Sequence, residues 1–173
     1  MFGFFKKKKV KPAVELTLHN LTIGATLDYD LTTWVVDAVY EYMWENDVKS
    51  REYKLIDGTT CYFLEINADG GVFLSKPSKL KNIAPEFKQE LLKLQTIPEN
   101  LVYKSEIYKL GEERFGNYRK QGNENWSELS SWTYWNDKNE FICIQQWSKF
   151  EFEGHLGKKL NPYSIDNLLP GTN

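Results

Sequence analysis

The chain has two cysteines and two histidines that could act as nucleophile or base: Cys61, Cys143, His19 and His155. Cys143 and His155 lie in one short segment of the sequence. A thiolate beside an imidazole is the arrangement used in nucleophilic catalysis, so Cys143 with His155 is the candidate pair. Cys143, however, stands between Ile142 and Ile144, and this apolar run favours a buried core thiol. The sequence therefore predicts no catalytic residues, and an enzyme using Cys143 and His155 remains the alternative.

Metal and nucleotide sites are not predicted. Two histidines cannot form a histidine-rich metal site. Asp28 and Asp30 flank Tyr29 and could hold a cation, but a polar turn before Leu31 explains them. The segment 67–70 resembles the start of a calcium loop yet lacks the closing glutamate, which indicates a hairpin turn. The glycine-rich signatures of phosphate binding and the serine-hydrolase elbow are absent from the sequence, so no cofactor is expected.

Charge is unevenly distributed along the chain. Residues 1–12 contain five lysines and no acid, whereas residues 13–173 contain 17 basic and 24 acidic residues. An acidic body disfavours binding to nucleic-acid phosphates. The basic segment 1–12 is predicted to be a disordered arm. Its phenylalanines and lysines suit shallow contact with an anionic membrane or a membrane protein, and a plain solubilising leader is the alternative. The expected contact residues are Phe2, Phe4, Phe5, Lys6, Lys7, Lys8 and Lys9.

Aromatic residues offer a second contact surface. The chain has 6 tryptophans and 10 tyrosines, which could build a stacking platform for single-stranded nucleic acid or fill a core. Trp132 and Trp135 are predicted to point to opposite faces of one strand, so at least one should be partly exposed. Because the body is acidic, a protein partner is expected at this site before a nucleic acid.

The first half of the chain has the pattern of an antiparallel meander. Residues 32–44 alternate with period two and predict a long strand. Asp57-Gly58 between two apolar runs predicts a two-residue hairpin turn. Residues 67–71 predict a second turn, followed by a strand that ends at Pro77.

The second half begins with the one predicted helix, near residues 85–95. Its apolar face is formed by Phe87, Leu91 and Leu94. Strands resume at Leu101, whereas the Gly- and charge-rich stretch 111–125 predicts loops around one short strand. Residues 136–139 predict the turn of a second hairpin with long strands, and the tail from Lys158 is expected to fray.

The two hairpin regions, 45–80 and 124–160, have nearly the same length and a similar order of features. Each has an aromatic strand, a turn containing Asp, a strand with a cysteine and a lysine-rich exit. A divergent internal duplication and a chance likeness of two hairpins both fit. The predicted fold is mainly β (α+β). It consists of two antiparallel sheets or half-barrels within one domain, 13–173, with halves at 13–83 and 98–168.

The segments that build the meander resemble a bacterial family known as domain of unknown function 4178. The shared features are Glu52 to Leu55, Asp57-Gly58 and Leu64-Glu65 in the first half. In the second half they are the aromatic strand 132–135 and the apolar strand 141–147 before a glycine. The resemblance spans most of residues 20–168. It implies a β-rich, non-catalytic intracellular protein. The genes of this family often lie near genes for membrane-stress or membrane-associated proteins.

These observations predict a non-catalytic binding or adaptor protein of the bacterial cytoplasm, peripheral to the inner membrane. No apolar run reaches the roughly 18 residues of a membrane span. The expected partner is a protein, with anionic lipid contacted by the arm. The alternatives are an enzyme with a Cys/His site and a single-stranded nucleic-acid binder that uses the arm and the aromatic residues.

Overall fold

A computed structural model describes residues 15–171. Its strands are β1 Thr26–Tyr29, β2 Thr32–Trp44, β3 Lys49–Ile56, β4 Cys61–Asn67, β5 Val72–Ser78, β6 Asn100–Tyr103, β7 Glu106–Lys120, β8 Ser127–Trp135, β9 Glu140–Gln146, β10 Phe152–Leu160 and β11 Asp166–Leu169. Two short helices, α1 Leu80–Ile83 and α2 Phe87–Gln89, lie between β5 and β6, and α2 continues into a π-helical turn at Glu90–Leu94. Within the described range, no helix is long and apolar enough to cross a membrane.

Eight antiparallel strands close into one barrel. The strands β2 to β5 form one meander and β7 to β10 form another. The meanders join at two seams, where β2 pairs with β7 and β5 pairs with β10. Strands β1 and β11 extend the sheet beyond β2, and β6 extends it beyond β7. The mainly β prediction is confirmed, and the two predicted sheets or half-barrels are joined into a single closed barrel.

The inside of the barrel holds charged and aromatic side chains, and its outside carries two hydrophobic cores. Arg114 on β7 reaches Glu65 on β4, a strand that is not its neighbour, so both side chains lie in the lumen. On the outer face of the first meander, a core that includes Tyr53 and Leu64 is covered by the chain around Leu21 and by segments near the C-terminal end. A second outer core lies beneath α1, α2 and β6. Hydrophobic burial therefore fixes the barrel from outside and leaves room for polar groups within.

Several local predictions need correction. The stretch 111–125, predicted as loops around a short strand, mostly belongs to the long strand β7, because its charged residues alternate between lumen and solvent. The helix predicted near residues 85–95 is present as α2 and the π-helical turn that follows it, and the separate short helix α1 precedes it. In its π-helical turn the side chain of Leu94 is 65% exposed rather than buried with Phe87. The predicted long strand after residue 139 is broken into β9 and β10, and the tail forms β11 on β1 instead of fraying.

The predicted turns are present, and one of them is shifted along the chain. Gly58 has a φ of 94°, as a tight turn requires. Asp57 precedes the turn rather than forming its centre, and its carboxylate accepts a hydrogen bond of 3.1 Å from the backbone N–H of Thr60. Gly70 has a φ of 83° in the second predicted turn. Asp30 has a φ of 51° between β1 and β2, so it belongs to a turn.

The two halves repeat each other in strand register. Thr26 pairs with Val35 between β1 and β2, and Asn100 pairs with Lys109 between β6 and β7. Each residue of the second pair lies 74 positions after its counterpart in the first pair. The long strands β2 and β7 each carry one irregularity in register against the next strand. The repeat therefore includes the opening hairpins as well as the predicted regions.

The later strands repeat with a slightly larger displacement. Phe63 pairs with Ser75 on β4 and β5, and Cys143 pairs with His155 on β9 and β10, a displacement of 80. Cys143 thus corresponds to Phe63 rather than to Cys61. The two cysteines, which suggested the repeat in sequence, are not equivalent.

Candidate ligand-binding cavity at one end of the barrel

A cavity with a volume of about 1000 Å³ opens at one end of the barrel lumen. Its inner wall is formed by lumen-facing side chains of five strands: Tyr40, Glu52, Phe63, Gln145 and His155. Its outer wall is formed by α1, the start of α2 and the loop between β9 and β10. We call this space the mouth cavity. Small-molecule pockets in proteins typically occupy roughly 300–1000 Å³, so the mouth cavity is large enough for an organic ligand.

Glu52 is the buried acid at the floor of the mouth cavity. It is 9% exposed, and one carboxylate oxygen accepts a hydrogen bond of 2.8 Å from the Tyr42 hydroxyl. Among the described residues, no cation forms an ion pair with it. Burial, followed by repulsion from Glu65, raises the pKa of Glu52 to about 7. The group can therefore gain or lose a proton near neutral pH.

Glu65 lies beside Glu52 but is neutralised. Arg114 donates two hydrogen bonds to its carboxylate, at 2.8 and 3.4 Å, and its guanidinium lies 4.3 Å from the ring centre of Trp44. Burial by itself would lower the pKa of Arg114, but attraction and hydrogen bonding to Glu65 outweigh it and raise the pKa. This ion pair crosses the lumen and borders a second, much smaller cavity of about 40 Å³.

His155 is the second polar group of the floor. Its ring is buried at 5% exposure, and Nδ1 lies 3.4 Å from the Ser75 hydroxyl. Nε2 has no hydrogen-bond partner among the described residues and lies 3.7 Å from a carboxylate oxygen of Glu153. Contact with His155 lowers the pKa of Glu153. The imidazole edge also packs on Phe63, with ring centres 5.3 Å apart.

Aromatic rings form the rim of the mouth cavity. Tyr118 and Trp147 contact each other edge to face, with centroids 4.3 Å apart, on one side of the opening. Tyr40 and Phe63 lie 6.4 Å apart on another side. Phe150, in the loop between β9 and β10, is 63% exposed. The cavity thus combines an apolar, partly exposed entrance with a polar floor.

The structure brings Cys143 and His155 together as a directly opposed pair on β9 and β10, both in the lumen. The thiol lies 3.3 Å from the Ser131 hydroxyl, and no hydrogen bond to His155 is present among the described side chains. Burial raises the pKa of Cys143 to about 11, so the group is a neutral thiol near pH 7. The sequence prediction of a buried core thiol agrees with this position.

Trp132 and Trp135 face opposite sides of β8, as predicted. Trp132 is 3% exposed on the outer face of the barrel, where its ring lies 5.3 Å from that of Phe87. Trp135 is partly exposed, faces inward and packs 5.0 Å from the ring of Phe141. Trp132 therefore does not reach the surface, Trp135 is the partly exposed member of the pair, and the partner contact stays a prediction.

The arm predicted at residues 1–12, including Phe2, Phe4, Phe5 and Lys6 to Lys9, lies outside the described residues. In the described range 15–171, no group of three or more His, Cys, Asp or Glu side chains is arranged to hold a metal ion.

Glu52, Glu65 and Arg114 are lumen residues that the sequence did not predict. Glu52 and Glu65 do alternate with apolar residues inside their strands, but a polar face of this kind is normally exposed to solvent. Closure of the barrel converts that polar face into an interior.

Comparisons with known proteins place the chain in a family without describing its activity. The model of the family described as "Domain of unknown function (DUF4178)" matches residues 22–162. An uncharacterized protein of Aquifex aeolicus is 23% identical over 172 residues, covering 98% of this chain and 94% of the relative. No solved structure matches the chain.

Proposed function

The chain belongs to the DUF4178 family, and we propose that it is a non-catalytic binding protein that takes a small molecule into the mouth cavity. The observation that carries the proposal is the cavity of about 1000 Å³ with an aromatic rim above two buried polar groups, Glu52 and His155. Ligand sites commonly combine apolar walls, which supply affinity, with few polar groups, which orient the ligand.

The state of the cysteine supports binding over nucleophilic catalysis. A thiol whose pKa is about 11 is almost fully protonated at neutral pH, and the thiolate is the reactive form. The Cys143 thiol also contacts Ser131 rather than an activating base. An enzyme that uses Cys143 and His155 is therefore the less favoured alternative.

The test is a ligand screen by NMR with the full-length protein and small compounds of positive, neutral and negative charge. Binding in the mouth cavity should shift the indole N–H resonance of Trp147 and leave that of Trp34, which is buried in the outer core, in place. The bound compound should be recovered chemically unchanged. The proposal fails if no compound binds, or if binders shift resonances away from the cavity.

We also propose that the protein works in the bacterial cytoplasm, peripheral to the inner membrane, as an adaptor for a protein partner. The support is the sequence of the arm, with Phe2, Phe4 and Phe5 before Lys6 to Lys9. Liposome flotation of the full chain and of a variant lacking residues 2–9 tests the membrane contact. Salt-sensitive binding that requires the arm supports it, and equal behaviour of the two forms contradicts it. Arm-dependent, salt-sensitive binding to single-stranded nucleic acid would favour that alternative.

The two halves of the barrel are proposed to derive from a divergent duplication. The repeated register of the opening hairpins and of the β4–β5 and β9–β10 ladders supports this origin, as does the pairing of like strands at both seams. The floor of the mouth cavity is then asymmetric, because His155 stands where the first half has Ser75.

A further inference from the structure

We propose that the ligand of the mouth cavity is an organic cation, an alkylammonium group on an apolar or aromatic body, bound with its nitrogen at Glu52 and its body at the aromatic rim. This inference rests on the proposed function and specifies the chemistry of the same site.

The charge balance of the floor is the first argument. Glu52 and Glu65 are directly opposed on β3 and β4, and Arg114 forms ion pairs with Glu65 and Glu112 but not with Glu52. Glu52 receives one hydrogen bond, from the neutral hydroxyl of Tyr42. A buried carboxylate without a cation is costly, and an ammonium group that enters the cavity would supply the missing charge and hydrogen bonds.

His155 provides an independent indication of a ligand. It lines the same cavity, is 5% exposed, and its Nε2 has no hydrogen-bond partner among the described residues. In the tautomer that donates Nδ1–H to Ser75, Nε2 is an acceptor. In that tautomer a ligand N–H would satisfy Nε2, whereas the tautomer that carries the proton on Nε2 directs it toward the Glu153 carboxylate, 3.7 Å away.

The rim suits the rest of such a ligand. Tyr40, Phe63, Tyr118 and Trp147 surround the entrance, and aromatic faces attract both apolar groups and organic cations. Three lysines also line the rim, and two have partners. Lys54 donates to Asp37 at 2.6 Å, and Lys88 donates to the carbonyl of Phe150 at 2.8 Å. The third is Lys81. Glu151 and Glu153 line the same cavity, so its lining carries charges of both signs, whereas Glu52 at the floor has no ion-pair partner among the described residues.

Three probes of similar shape and different charge test the inference: phenethylamine, phenethyl alcohol and hydrocinnamate. Each is titrated into the full-length protein at pH 8 and followed through the Trp147 indole resonance. The amine should bind at least about tenfold more tightly than the alcohol, a difference of about 1.4 kcal/mol. Hydrocinnamate should bind most weakly, because Glu52 repels it.

Glu52→Gln keeps the shape of the side chain and its acceptor for Tyr42, and it should remove the preference for the amine. The matched control is Glu113→Gln, which removes the same charge from an exposed position on the outside of β7 and should leave the preference intact. Equal binding of amine and alcohol, tighter binding of hydrocinnamate, or an unchanged preference in Glu52→Gln would overturn the inference while the cavity remains a binding site. Failure of all three probes to bind would instead overturn the proposed function, and the inference with it.

The pH profile gives a second readout that does not depend on a variant. The titratable and charged groups that face Glu52 are Tyr42, Glu65, Glu153 and His155, with Arg114 behind Glu65. Loss of a proton from Glu52, whose pKa is about 7, makes the floor more negative. Amine binding should therefore strengthen between pH 6 and pH 8 while alcohol binding changes little, and amine binding that weakens over this range would contradict the inference.

Discussion

Glu52 and Glu65 lie directly opposite each other on β3 and β4, and both point into the barrel, yet only Glu65 has an ion-pair partner. Arg114 reaches across the lumen to Glu65, so the two carboxylates differ in their partners although they share one face. Glu52 is left as a group that titrates near neutrality, whereas Glu65 accepts two hydrogen bonds from the guanidinium. The barrel interior is therefore sensitive to pH through one residue.

Folding stability should decrease as pH rises because of Glu52. Its pKa is raised from 4.5 to about 7 in the folded protein, so between these values the folded state binds more protons than the unfolded state. The contribution of Glu52 to the free energy of unfolding is complete below pH 4.5 and is lost as pH rises through about 7. The loss amounts to about 3 kcal/mol at most. Urea unfolding at pH 5.5 and pH 8 measures it.

Glu52→Gln is the matching variant, because glutamine does not titrate. It should be more stable than the parent protein at pH 8 and should show a flatter pH profile, whereas Glu113→Gln should follow the parent. A parent-like slope in Glu52→Gln would assign the pH dependence to another group.

The ion pair between Arg114 and Glu65 should show strong energetic coupling. Replacing Arg114 by Met leaves a buried carboxylate beside Glu52, and we expect a loss of about 3–5 kcal/mol in the free energy of unfolding. The double variant Arg114→Met/Glu65→Gln should recover much of this loss, because position 65 then carries no charge that needs the guanidinium. Denaturant unfolding of the two single variants and the double variant measures the coupling. Additive losses would show that the pair contributes little as a pair.

The outer cores explain why much of the fold could be predicted from the sequence. Strand β2 alternates exposed and buried residues from Thr33 to Ala38, and the turns at Gly58 and Gly70 have backbone angles that glycine favours. Local pattern and turn chemistry determine these elements, so the meander was accessible without a structure.

The closure of the barrel and the presence of the cavity could not be predicted from local sequence patterns. Both seams join strands far apart in sequence, and no local pattern encodes the pairing of Trp44 with Gly116. The charged stretch of β7 was predicted mostly as loops, because Glu112 and Arg114 are charged residues in a strand. Their partners are in the lumen, and a lumen exists only after closure. The same reason hid Glu52, whose surroundings come from four other strands and a loop.

The seam between β2 and β7 should be intolerant of a side chain at Gly116. A Cβ at this position would collide with the backbone of Met43 and lie 2.8 Å from the Cα of Trp44, and backbone atoms cannot rotate away as a side chain can. Gly116→Ala should therefore destabilise the protein by about 1–3 kcal/mol. Thermal unfolding beside Asn117→Ala, an exposed neighbour on the same strand, measures the effect. Equal stability of the two variants would mean that the strands are not packed this closely.

The two cysteines should differ in reactivity. Cys143 is buried in the lumen with a pKa of about 11, whereas Cys61 is only partly buried, although burial raises its pKa as well. At pH 8, a thiol reagent should modify Cys61 slowly in the native protein and Cys143 only after denaturation, because the thiolate is the reacting species and must also be accessible. The variant Cys61→Ser isolates Cys143, and Cys143→Ser isolates Cys61. Rapid native labelling of Cys61→Ser would show an accessible, activated thiolate at Cys143 and would restore the enzymatic alternative with His155 as its base.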